Sequence, residues 1–151
     1  MSFNNLDQLY RSVIMDHYKK PRNKGTIDDD GKLTVNMNNP TCGDRIDLHM
    51  KVEDGKITDA KFLGEGCSIS IASASMMTEA IKGLTVEEAL HMARIFSDMV
   101  LGKDYHAEGI DLGDIEALSG VTKFPARIKC ATLPWKAMEK GFAQEKWNEE
   151  D

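Results

Sequence analysis

Apolar residues Leu6, Leu9, Tyr10, Val13 and Ile14 recur at three- and four-residue spacing, the mark of a helix with one apolar face. That helix must end before Pro21, because a proline disfavours a helical residue in front of it. From Leu33 the period changes to two. Leu33, Val35 and Met37 share one face, and Ile46, Leu48, Met50 and Val52 alternate with Arg45, Asp47, His49 and Lys51, so both runs predict half-buried strands. Asp54-Gly55 supplies the two residues of a tight hairpin. In the strand that follows, the apolar frame slips between Ile57 and the pair Ala60 and Phe62, which predicts a bulge near Thr58.

Beyond Gly66 the pattern is helical. Ser68 to Ile81 is rich in small residues, which let a helix approach its neighbours closely, and Gly83 is placed to stop it. Thr85 and Glu88 form a capping-box pattern ahead of Val86, Ala89, Leu90, Ala93, Phe96 and Val100. A short segment carries Leu112, Ile115 and Leu118. The last helix is predicted from Phe124-Pro125 through Ile128, Ala131, Trp135, Met138 and Phe142. Pro134 falls inside it and removes the N–H that the Cys130 carbonyl would accept, so the pattern leaves two options: a bend at Cys130, or a helix that begins only after Pro134. The order of elements predicts an α+β fold with an N-terminal helix, a three-stranded antiparallel sheet and a helical C-terminal half packed on one face.

Size and charge narrow the possibilities. The chain of 151 residues, 41% of them hydrophobic, suits one domain over residues 1–151. A net charge of -6 argues against nucleic acid and against anionic membrane surfaces, both of which need dense basic patches. No apolar run approaches the ~18 residues of a membrane span, and the start lacks a basic, apolar, small-residue leader. A soluble, cytoplasmic protein with a protein partner or small ligand is expected. Three cysteines cannot all pair within one chain, so a disulfide framework is not expected either.

The cysteines are the candidate chemistry. Cys42 lies in N-N-P-T-C-G-D, between the first two strands and beside Asp44; Cys67 follows Gly64-Glu65-Gly66 at a helix start; Cys130 opens the last helix between Arg127, Lys129 and Pro134. No compact C-x2-C pair is present, so three thiols filling core space as small hydrophobes is one consistent reading. Their polar surroundings support another. A helix start favours a thiolate, and three thiolates with one carboxylate make a ligand set suited to tetrahedral Zn(II). Such a centre carries excess negative charge, which Arg127 and Lys129 are placed to offset. Arg45 fits a solvated surface equally well.

Three motifs together, N-N-P-T-C-G-D, then G-E-G-C-S-I-S-I-A-S-A-S-M-M, then F-P-A-R-I-K-C-A-T-L-P-W, resemble the zinc-containing SufU branch of the IscU-like iron–sulfur assembly family over nearly the whole chain. The resemblance implies an IscU-like fold and Cys42, Asp44, Cys67 and Cys130 as zinc ligands. It further implies Cys42 as the sulfur-accepting thiol, with Gly43 giving its loop freedom to move, and Arg127 as a residue used with the partner. The implied activity is that of a zinc-dependent sulfurtransferase. It takes persulfide sulfur from a pyridoxal-phosphate cysteine desulfurase of the SufS type and serves downstream iron–sulfur assembly proteins. Two alternatives stay open: a scaffold holding a transient iron–sulfur cluster on the same cysteines, and a structural zinc module for protein binding. Lys129 stands where the scaffold proteins carry a ligand histidine, and the stretch from Cys67 to Cys130 is longer than theirs.

The remaining features fit structure better than chemistry. His17, His49, His91 and His106 stand apart from the cysteines, most of the nine methionines follow core spacing, and Lys19, Lys20, Arg22 and Lys24 read as a solvated helix end, with a docking contact as the alternative.

Overall fold

The computed structural model describes the backbone of residues 2–28, 32–39, 43–105 and 112–150, and within them the side chains from residue 10 to residue 143. Helix α1 (Ser2–Lys19) leads into strands β1 (Leu33–Asn39), β2 (Asp44–Glu53) and β3 (Lys56–Glu65). Helices α2 (Ser68–Ile81) and α3 (Val86–Val100), a 3-10 helix (Gly113–Lys123) and α4 (Pro125–Glu150) follow. The three strands form one antiparallel sheet in the order β1-β2-β3. This is the predicted α+β arrangement.

The period-two pattern sets the register. Leu33 faces Met50, Val35 faces Leu48 and Met37 faces Ile46, so one row of apolar side chains enters the core. Asp54 and Gly55 both take positive φ (53° and 78°), as a two-residue turn between right-twisted strands requires. Lys51 pairs with Asp59 but Val52 with Ile57, leaving Thr58 as the extra residue of the expected bulge.

Helix α2 is the centre of the molecule, and every residue from Ser70 to Thr78 is buried. Small side chains let α1 and α4 approach it, and its hydroxyls then meet polar groups from both. Ser73 donates to the Ala131 carbonyl at 2.6 Å and accepts from Trp135 Nε1 at 3.1 Å. Ser75 accepts from the Arg22 amide at 2.8 Å and lies 2.8 Å from His17 Nδ1. The other nitrogen of fully buried His17 is 2.8 Å from Asp114 Oδ2, which ties α1 to the 3-10 helix. Helix α3 begins with the predicted reciprocal cap, in which the Glu88 amide donates to Thr85 Oγ1 at 3.1 Å and the Thr85 amide to Glu88 Oε1 at 3.0 Å. It also stacks Phe96 on Trp135 at a 4.7 Å centroid distance.

Helix α4 runs unbroken through Pro134, so it starts at Pro125 and not after the inner proline. It meets the sheet at Gly141, where a Cβ would come within 2.8 Å of Val35 Cγ2 and 3.0 Å of Met50 Cε, so any side chain there would force its neighbours to shift. In the basic run after α1, Lys19, Lys20 and Lys24 are exposed, as a solvated helix end requires, while the backbone of the segment takes on a further role. Arg22 pairs with Asp16 at 2.7 Å, and Lys24 forms a parallel bridge with Phe62. The Ile27 amide donates to His49 Nδ1 at 3.3 Å. The segment thus covers the outer edge of β3 and part of the outer sheet face, which explains why His49 is buried on the predicted polar face. Among the described residues, no helix is long and apolar enough to cross a membrane. His106 lies outside the described residues.

Candidate metal centre

The apolar row of the sheet ends in a polar pair. Asn39, the last residue of β1, faces Asp44, the first of β2, and both are buried. The Gly43 amide donates to the Asn39 carbonyl at 2.8 Å, closing the loop between the strands. Asp44 is 2% exposed. Its Oδ1 accepts from the Cys67 amide at 2.9 Å and lies 3.2 Å from Ser70 Oγ. Its Oδ2 is equally buried and meets no hydrogen-bond partner among the described residues. A carboxylate oxygen in that position is costly unless a cation or donor joins it.

Cys67 caps α2 through its backbone alone, leaving the thiol uncommitted to the cap. Two constraints hold it there: its N–H is bonded to Asp44, and Gly66 passes so close that a Cβ would fall 2.1 Å from Asp44 Oδ1. Cys130 arrives from α4 and is buried. The neighbouring Ala131 carbonyl is bonded to Ser73, which fixes α4 against α2 at that turn. One donor atom each from Asp44, Cys67 and Cys130 therefore lies within 4.8 Å of the others.

These three predicted residues come together from a strand, a helix start and a helix interior. The fourth, Cys42, lies outside the described residues. Arg127, in the first turn of α4, and Lys129, at the start of the second, are both exposed. Arg45 points away from the core and approaches Glu65 at 4.0 Å, so it fits the solvated reading. Two contributors were missed by sequence reasoning. Ser70, three residues into the helix from Cys67, reads as one small residue among many. Asn39 did carry a signal, since it occupies an inward position of the Leu33, Val35, Met37 alternation where an apolar residue is expected.

Two sulfurs and a carboxylate oxygen in a protected corner, with one carboxylate oxygen unsatisfied, fit a thiophilic divalent ion such as zinc. Fold and donor set define an α+β protein with a sulfur-and-carboxylate centre at the junction of sheet and helices. The chain belongs to the family of the NifU-like N-terminal domain, which matches residues 9–131. It is 69% identical over 146 residues to the zinc-dependent sulfurtransferase SufU of Bacillus subtilis (strain 168), covering 96% of this chain and 97% of that one. It is 49% identical over 142 residues to the iron–sulfur cluster assembly scaffold protein IscU of Streptococcus pyogenes serotype M1, covering 94% and 87%. A crystal structure from Fervidobacterium islandicum AW-1, described as a candidate iron–sulfur cluster assembly scaffold for the SUF system, superimposes with a TM-score of 0.80 at 38% identity, over 85% of this chain and 93% of that one.

Proposed function

We propose that residues 1–151 act as one cytoplasmic domain that binds zinc through Cys42, Asp44, Cys67 and Cys130 and carries sulfur from a pyridoxal-phosphate cysteine desulfurase to iron–sulfur assembly. The observation that carries this reading is the convergence of Asp44, Cys67 and Cys130 within 4.8 Å around a buried, unsatisfied carboxylate oxygen. It occurs in a chain 69% identical to a zinc-dependent sulfurtransferase.

Zinc holds thiolates deprotonated at neutral pH and exchanges its ligands without redox change. The Cys42 thiolate attacks the terminal sulfur of the desulfurase persulfide, a new S–S bond forms, the old one breaks, and the desulfurase cysteine leaves as its thiolate. Cys42 then carries the persulfide, with no net oxidation or reduction. Arg127, exposed one turn before Cys130, is the residue this reading assigns to the partner contact. A place among downstream iron–sulfur assembly proteins follows from the same reading.

Desulfurase turnover with and without this protein, alongside metal analysis, tests the proposal. Stimulation is expected, with about one zinc per chain and mass spectrometry placing the added sulfur on Cys42; Cys42→Ser should abolish the acceptance. No stimulation would leave a structural zinc module. The relatives named as scaffolds motivate one further measurement, anaerobic loading with iron and sulfide. A stable stoichiometric cluster displacing zinc would overturn the sulfurtransferase reading. Lys129 argues against that outcome, because an ammonium group cannot ligate iron.

A further inference from the structure

We propose that Asn39 is a hydrogen-bond donor to a sulfur bound at the Asp44–Cys67–Cys130 centre, a positioning role that rests on the metal reading above. Asn39 is 7% exposed, and its Nδ2 is buried without a hydrogen-bond partner among the described residues. Buried amides in native proteins are almost always satisfied, so an unpartnered one marks a missing group.

Its neighbour sharpens the argument. Asn39 and Asp44 are directly opposed across the antiparallel pair, on the core face, where Cβ atoms lie ~4.5–5.5 Å apart. Asp44 Oδ2 is also unpartnered, yet the two side chains do not bond each other. A buried donor and a buried acceptor that stand side by side and ignore one another are matched to a third object with both signs of charge. A cation satisfies the carboxylate oxygen, and an anionic ligand of that cation satisfies the amide. At a centre built from cysteines that ligand is a sulfur. The closure of the loop by Gly43 fixes the Asn39 backbone, so the donor is held in place before any sulfur arrives.

An N–H···S bond withdraws electron density from the sulfur and fixes its position, which is how outer-shell partners tune and orient a metal's donor atoms. Asparagine does this without adding charge. An aspartate at position 39 would place a further anion beside a centre already in negative excess.

The test uses the full chain loaded with Co(II), whose sulfur-to-metal charge-transfer band reports electron density on the sulfur, and needs no desulfurase. Asn39→Ala and the similarly sized Asn39→Leu should move the band to lower energy. They should also weaken zinc binding, measured by chelator competition, by roughly tenfold to a hundredfold, as outer-shell losses do. Metal-stripped variants should unfold at the same or higher urea concentration than the stripped parent, because the unsatisfied donor is gone. An unmoved band, or equal loss of stability in stripped and loaded forms, would show a purely structural asparagine and overturn the assignment. Should the parent protein take up neither cobalt nor zinc, the metal reading itself fails and this inference falls with it.

Discussion

Gly66→Ala isolates the geometry that holds Asp44. An alanine Cβ there would lie 2.1 Å from Asp44 Oδ1, 2.9 Å from its Cγ and 2.8 Å from Ser70 Oγ. Carbon contacts settle nearer ~3.5 Å, so the carboxylate must retreat by about 1 Å or more. That retreat breaks the 2.9 Å bond from the Cys67 amide and the 3.2 Å contact to Ser70. Hydrogen bonds to a charged acceptor contribute ~1.5–3 kcal/mol each, and partial relaxation returns some of this, so the expected loss is about 3–5 kcal/mol. Against a typical total of ~5–15 kcal/mol, such a loss is easily measured. Urea unfolding of the stripped protein should show a lower midpoint at unchanged slope, and chelator competition should show weaker zinc binding because Asp44 has moved. Gly83→Ala is the control. Gly83 also has positive φ (86°), but nothing lies within 4 Å of its added Cβ, so it should cost only the left-handed penalty of ~1–2 kcal/mol and leave zinc binding alone. Equal effects of the two substitutions on stability and metal would refute the reasoning.

Zinc should stabilise the fold by mass action. At a thousand times its dissociation constant the gain is about 4 kcal/mol, which for a chain of this size means roughly 8–16 °C in calorimetric melting temperature; identical melting of stripped and loaded protein would discredit the ligand set. Pro134→Ala removes a helix-interior proline that costs ~3 kcal/mol, but the ring is buried and its loss returns roughly half of that. A small net gain in urea stability is therefore expected together with faster zinc loss to a chelator, and unchanged zinc retention would deny the proline a role in aiming Cys130. His49 gives a pH dependence. Burial first, then Lys32, holds its imidazole below the ordinary 6.5, with Asp47 opposing. As pH falls through that value the unfolded chain takes up its proton before the folded one does, so stability should decline below about pH 6.5 and level off once the folded form also protonates. His49→Gln, measured in metal-stripped protein at pH 7.5 and pH 5, should flatten the decline, and an unaltered slope would exclude His49 as its source.

What could be read from the chain depended on how far apart the interacting residues lie. The hairpin at Asp54-Gly55, the bulge at Thr58 and the cap at Thr85 are local, and each is enforced by neighbours within a few positions. The cysteines were legible for a different reason. Thiols beside Asp44, a helix start and a basic turn are a chemical anomaly in a core, whatever their separation. The wiring of α2 was not legible, because His17 meets Ser75 across 58 positions and Asp114 across 97. In the sequence those serines are indistinguishable from the alanines among them. The strap from Arg22 to Ile27 was missed by the same logic, since a run of lysine and arginine says nothing about the edge strand it covers.

The demands on α2 explain why its serines escape notice and why they stand where they do. The helix must be thin enough for α1 and α4 to approach and polar enough to orient what they bring. Alanine meets only the first requirement, and a longer polar residue only the second. Serine meets both, and its positions are not interchangeable: Ser70 reaches the Asp44 carboxylate, Ser73 the carbonyl next to Cys130, and Ser75 the buried imidazole of His17. Two of these three contacts fall on Asp44 or on the residue after Cys130. The central helix therefore carries one of the three converging candidate ligands at its own start and braces the other two, Asp44 and Cys130, from its first turns. That ranks the serines by consequence, with Ser70 and Ser73 bracing the candidate metal centre and Ser75 holding α1 and the start of the strap at Arg22.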